Sequence, residues 1–208
     1  MGSTVPPNEI PLPPSDFEHF DLPLIAVTQA LVRVHRVVQD PLYFGRTGRH
    51  RWDDPEHRYG VLYASFDAEG AFVETFLADA PEKISSVGGG TIPVSGADLD
   101  TYGLSEIHIS ESVQAVDLRA GGAVAIGATG AIATGPHAVS QVWGRAIFTH
   151  AQRPGAIISP AKMDLSRVTV AVHERVQPQL SATFLGPLSG LPDIMERIAA
   201  AYPIVIIR

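Results

Sequence analysis

The sequence predicts a single α+β domain. Strand-like and helix-like stretches are mixed along the chain without the regular alternation of a doubly wound parallel sheet. At 208 residues and 45% hydrophobic, the chain can build one core but not two full-sized ones. No internal repeat of fixed period is present.

Residues 1–23 hold six prolines and few aliphatics, so residues 1–24 are expected to form an extended arm laid over a domain of residues 25–208. Residues 31–38 approach the period-two pattern of a half-buried strand, with Arg33 and His35 on one face. Residues 39–56 carry Pro, Gly, Asp and Arg without an apolar period, which predicts a long loop near a binding site. Residues 59–65 (YGVLYAS) read as a buried strand. Asp67 then caps a helix running to Ala78, in which Phe72 and Phe76 share a face and Glu74 is displaced from them, free to point away from the core. Gly88, Gly89, Gly90, Pro93 and Gly96 mark an irregular insert near residues 85–103. A strand-like run over residues 104–118 is broken by charges and ends in a strand at 113–118. A short helix follows at 120–128, then a longer one at 137–150 with Val142, Trp143, Ala146 and Ile147 as its buried stripe. Residues 156–159 and 168–173 are rich in β-branched side chains and read as strands. Pro192 opens a helix over 191–201, and 204–207 is a terminal strand.

Fifteen Lys and Arg against 22 Asp and Glu give a net charge of −7, which disfavours general nucleic-acid binding. With no cysteine there is no disulfide, thiolate metal site or cysteine nucleophile. The N-terminal stretch is not patterned as an export signal, and no apolar run reaches the ~20 residues of a membrane span, so a cytoplasmic protein is expected. Six of the thirteen arginines lie between Arg33 and Arg58, leaving that window at +2 and the remainder at −9. Such a concentration suits a confined anionic ligand; its alternative is an ordinary solvated loop. No P-loop, G-x-G-x-x-G, H-E-x-x-H or G-x-S-x-G occurs. His50, Asp53, Asp54, Glu56 and His57 lack a coordination spacing, and no metal is expected.

LVRVHR, GRHRWDDP, YGVLYAS and the glutamate of FVETF nine residues after that strand resemble successive blocks of the RES domain family. VDLRAGGAVAIGA, HAVSQVWGRAI and PGAIIS resemble its second half, so the likeness covers residues 31–176 in order. It implies a fold similar to ADP-ribosyltransferase toxins, with mixed and antiparallel sheets and flanking helices. It also implies an NAD-consuming bacterial toxin paired with an Xre-like antitoxin, with which it would form a hetero-oligomer. By position, Arg33 matches the family's first characteristic arginine, Tyr43 its pocket tyrosine, Arg51 the R-[FW]-[ND] block and Glu74 the helix glutamate. The family serine of G-[IL]-x-[YW]-x-S falls on Pro160, with Ser159 one residue early; either a local shift presents Ser159 or the role is lost.

These residue types suit NAD as a substrate. Cleavage of the nicotinamide–ribose bond develops positive charge at the anomeric carbon, which a carboxylate such as Glu74 stabilises. With no glycine-rich helix start available, Arg33 and Arg51 would hold the pyrophosphate, and Tyr43 could stack on a base. The acceptor would be water or inorganic phosphate. The alternatives are ADP-ribose transfer to a protein, or a relic of the fold that binds NAD without turning it over. Residue by residue there are plainer readings too: an Arg33–Glu74 ion pair, Tyr63 and Trp143 as core, His35 as a satisfied strand histidine, Trp52 packing the loop down, and His137 as a helix-terminus residue.

Overall fold

The computed structural model describes residues 10–78 and 90–207. After a 3-10 turn at Phe17–His19, the chain forms β1 (Leu24–Val27), β2 (Leu31–Arg36) and β3 (Val61–Ala64), then α1 (Ala68–Phe76). Next come β4 (Ile92–Ser95), α2 (Gly96–Thr101), β5 (Tyr102–Ile109) and β6 (Val113–Asp117). Three helices follow, α3 (Gly122–Ala125), α4 (Ala131–Thr134) and α5 (His137–Thr149), then β7 (Ala156–Pro160), β8 (Val168–His173) and β9 (Leu180–Pro187). The described chain closes with α6 (Pro192–Ala201) and β10 (Ile204–Ile207). Among these, no helix is long and apolar enough to cross a membrane.

The strands form a five-stranded sheet in the order β1-β6-β7-β8-β3, a three-stranded sheet β2-β5-β9, and the pair β10-β4. Pairing is antiparallel except for β6–β7 and β10–β4. This is the expected α+β domain with mixed and antiparallel sheets. The two larger sheets touch at an antiparallel bridge between Val32 and Ser65, next to Arg33. Leu31, Ile107, Ile158, Val170 and Val172 pack in one core, and Trp52, Val116, Trp143, Ile147, Ile157 and Ala171 in another. Because Ile157 and Ile158 enter different cores, strand alternation carries Ser159 to the Ile157 face.

Several elements depart from the sequence reading. Residues 92–95 and 96–101 are not irregular: β4 accepts Pro93 because it is paired on one side only, to β10, and needs no second ladder. Gly88 and Gly89 lie outside the described residues. The run at 104–118 is two strands separated at 110–112, and β1 and β9 are additions. In α5 the buried positions are Ser140, Gln141, Trp143, Gly144 and Ile147, while Val142 is 42% exposed. The stripe is rotated because α5 packs closely over Trp52: a Cβ on Gly144 would lie 3.2 Å from the Trp52 carbonyl oxygen.

Residues 10–22 cover one side of this core. Phe17 and Leu22 are buried, Trp143 Nε1 donates to the Pro11 carbonyl at 2.7 Å, and the Leu22 N–H donates to Gln152 Oε1 at 3.0 Å. At the opposite end, α6 is tied to α1 by Arg197–Glu69 at 2.9 Å. Tyr202, just after α6, donates to Asp164 in the β7–β8 loop at 2.7 Å.

His173 is fully buried, edge-on to Tyr59 and Phe148, with Nδ1–H donating to the Pro154 carbonyl at 3.0 Å. Burial pushes its pKa down to about 4. The unfolded chain therefore binds a proton near pH 6.5 that the folded chain refuses. Stability is complete above pH 6.5 and falls as pH drops toward 4, by about 2 kcal/mol at pH 5. Thermal melts of the wild type should show this slope, and His173→Asn should flatten it.

Candidate active site

A cleft of about 510 Å³ opens where β2, β3, β7 and β8 face α1, and Arg33, Arg51, Glu74 and Ser159 all line it. Tyr63, Thr169, His50, His137 and Lys162 also contribute to its walls.

The helix carrying Glu74 starts where Asp67 Oδ1 accepts the Gly70 N–H at 2.7 Å. Phe72, Val73 and Phe76 are buried, with the two phenyl rings stacked at 4.7 Å, so the helix is held by its apolar face. Glu74 is left at the cleft, and among the described residues no hydrogen bond or ion pair engages its carboxylate. The alternative Arg33–Glu74 ion pair is not formed.

Arg33 leaves β2 beside the inter-sheet bridge. Its Nη1 donates to the carbonyls of Pro41 at 2.7 Å and Tyr43 at 3.0 Å, which fix the guanidinium at the cleft. Burial pushes its pKa down to about 10, against a smaller upward pull from Asp40, so it stays cationic at neutral pH. Tyr43 serves Arg33 through its backbone; the residue is 48% exposed and does not line the cleft.

Arg51 is more deeply committed. Its Nη1 donates to the carbonyls of Ile132 (3.1 Å) and Gly135 (2.8 Å) and to Ser140 Oγ (3.0 Å), tying the end of α4 and the start of α5 to the loop. Nη2 is buried without a hydrogen-bond partner. Burial lowers the Arg51 pKa, and the carboxylate of Glu74 raises it, placing these two charges in each other's field across the cleft.

The rest of RWDDP is framework. Asp53 Oδ2 accepts from the Thr47 hydroxyl at 2.8 Å and from the N–H groups of Arg49 and His50 at 3.2 Å each, while Oδ1 accepts from Tyr63 at 3.0 Å. The Tyr63 oxygen in turn accepts the Trp52 N–H at 2.9 Å. Tyr63 packs against the core, as expected, and also lines the cleft and anchors the loop; burial, reinforced by Asp53, pushes its phenol well above the usual range. The Asp54 side chain is 0% exposed and receives Arg145 at 2.6 Å and Arg58 at 2.9 Å. Burial alone would raise its pKa, but the hydrogen bonds from Arg58 and Arg145 hold it well below the usual carboxylate range. These carboxylates are spent on the loop, and among the described residues no group of three His, Asp or Glu stands together as a metal site.

Ser159 reaches the cleft with the β7–β8 ladder unbroken from Ala156↔Val172 to Pro160↔Val168, so no local shift is needed. Its Oγ accepts the Trp52 indole N–H at 3.4 Å, giving Trp52 a second task besides packing. His35 is satisfied within the sheet: Nδ1–H donates to the Arg36 carbonyl at 2.9 Å and Nε2 accepts from Ser105 Oγ at 2.8 Å. His137 does open α5, but it also lines the cleft, donating to the Arg49 carbonyl at 2.9 Å. Thr169 and Lys162 were not singled out in sequence; Thr169 could have been found by pairing it with Ser159 across neighbouring strands.

Among the described residues, the cleft thus places two arginines, a lysine and two histidines around one unengaged carboxylate, a set able to hold a polyanion and stabilise a developing cation beside it. Residues 30–184, which contain every one of these side chains, match the family model described as RES domain. A probable toxin of Sinorhizobium fredii, y4kH, is 24% identical over 119 residues, covering 57% of this chain and 93% of that protein. The fold is similar to a chain in the crystal structure of the Mycobacterium tuberculosis (M. tuberculosis) MbcT–MbcA toxin–antitoxin complex. That likeness has a TM-score of 0.60 at 21% identity and covers 85% of this chain and 92% of the other, consistent with the ADP-ribosyltransferase-like architecture expected. With the matched segment running from β2 into β9 and enclosing the whole cleft, the protein belongs to the RES domain family.

Proposed function

We propose that this protein is the toxin of a toxin–antitoxin pair and acts by cleaving NAD at the nicotinamide–ribose bond, with water or inorganic phosphate as acceptor. The observation that carries this reading is the Glu74 carboxylate, which among the described residues has no hydrogen-bond or ion-pair partner and shares the cleft with charged groups that are all cationic. A carboxylate already paired to an arginine would be poorly placed to stabilise the positive charge that grows on the ribose as nicotinamide leaves. Arg33, fixed by two carbonyls, and the unpartnered Nη2 of Arg51 suit the pyrophosphate. The departing nicotinamide needs no strong general acid, since the ring nitrogen loses its positive charge on leaving.

Family membership and the toxins among the similar proteins support an antitoxin partner of Xre-like type, and the cationic cleft is a surface that an acidic segment would complement. Chromatography of NAD incubated with the purified protein, with and without phosphate, tests the activity. Nicotinamide release is expected, with ADP-ribose as the companion product if water attacks and its phosphorylated form if phosphate does. Release seen only when a protein acceptor is added would replace this reading with ADP-ribosyl transfer, and no release under any condition would overturn it.

A further inference from the structure

One face of the five-stranded sheet is apolar along Ile157 and Ala171, then turns polar at the cleft, where Ser159 and Thr169 are direct partners across β7 and β8. Directly opposed side chains of an antiparallel pair stand about 5 Å apart on the same face. Both residues line the cleft and both are almost fully buried, Ser159 at 1% exposed and Thr169 at 4%. Their hydrogen bonding differs. Ser159 Oγ already accepts the Trp52 indole N–H, so its own proton is left to donate. Thr169 Oγ1 is buried with no hydrogen-bond partner among the described residues. A buried hydroxyl without a partner is destabilising, and one that faces a cleft is accounted for by a ligand that completes it.

A donor beside a free acceptor, at the spacing of one strand pair, is the complement of a primary carboxamide, which presents a carbonyl oxygen and an NH₂ group side by side. We propose that Thr169, with Ser159, forms the subsite that reads the carboxamide of the nicotinamide ring: Ser159 donates to the carbonyl oxygen and Thr169 accepts from the amide nitrogen. This rests on the NAD reading above and adds to it a rule of selection. A methyl ketone in place of the amide keeps the carbonyl oxygen for Ser159 but offers Thr169 neither a donor nor an acceptor, so the dinucleotide carrying 3-acetylpyridine is a poor substrate.

The test is the ratio of kcat/KM for NAD to that for 3-acetylpyridine adenine dinucleotide, in wild type, Thr169→Val and Thr169→Ser. Wild type is expected to favour NAD by about tenfold or more, Thr169→Val to bring the ratio within about threefold, and Thr169→Ser to keep it. Thr169→Val should also melt at or above the wild-type temperature, because it removes an unpartnered hydroxyl at constant shape; a purely structural hydroxyl would give the opposite. Cleavage of NAD with an unchanged ratio in Thr169→Val overturns the subsite alone, as does a lowered melting temperature. Absence of NAD cleavage by wild type overturns the NAD reading and the subsite with it.

Discussion

Glu74→Gln is expected to slow nicotinamide release by about 10²–10³-fold with little change in thermal stability. Glutamine has the shape of glutamate and can still hydrogen-bond a ribose hydroxyl, so what it removes is the negative charge beside the reacting carbon. The cost then appears in kcat and kcat/KM together, because charge on the ribose develops only in the transition state. Stability should stay within about 0.5 kcal/mol, since among the described residues the carboxylate bonds to nothing in the protein. A variant that retains full activity would remove Glu74 from the mechanism, and one that melts well below wild type would make it a structural residue.

The largest effect on stability is expected from Asp54→Ala, about 2–4 kcal/mol, measured by thermal or denaturant unfolding. Asp54 accepts from the N–H groups of Glu56 and Arg58 and from two guanidiniums, all on a completely buried side chain. The substitution leaves the arginines free to turn toward water, which keeps the loss below that of stranding a buried charge: Arg58 and Arg145 are 52% and 28% exposed. Activity should fall along with stability, because the same short loop holds Arg51 and Trp52. Asp54 also sets the lower acid limb of the wild type. Its folded pKa lies below the unfolded one, so its contribution is present above about pH 4 and is lost below that, after His173 has already weakened the fold between pH 6.5 and 4.

Arg33 and Glu74 were legible because each sits in a regular element whose period assigns it a face: a strand for one, a helix with its phenylalanines on the other side for the other. Ser159 was legible as a residue but not in its orientation, because the neighbouring isoleucines allow either register until the pairing with β8 is known. Tyr43 shows the reverse limit. A sequence displays side chains, whereas this loop meets Arg33 with backbone carbonyls. The core packing of Tyr63 is legible in its apolar strand, but its second task is not, because the hydroxyl that anchors the loop at the cleft finds its partner ten positions away. The strands β1 and β9 escaped because each is largely exposed, without the alternation that marks a half-buried strand. The glycines and proline of the insert suggest irregular chain, yet an edge strand tolerates them.

The piece formed by α6 and β10 lies beyond the matched segment, yet it grips both sides of the cleft, α1 through Arg197–Glu69 and the β7–β8 loop through Tyr202–Asp164. Its own hold on the fold includes a parallel ladder of four residue pairs with β4. If that ladder opens, the two clamps are released together, so the Glu74 helix should share the amide exchange rate of the C-terminal piece rather than that of the central sheet. The carboxylate proposed to do the chemistry would then ride on one of the less protected units of the molecule, and a ligand that bridges α1 to the sheet should be read out by slowed exchange as far away as β10.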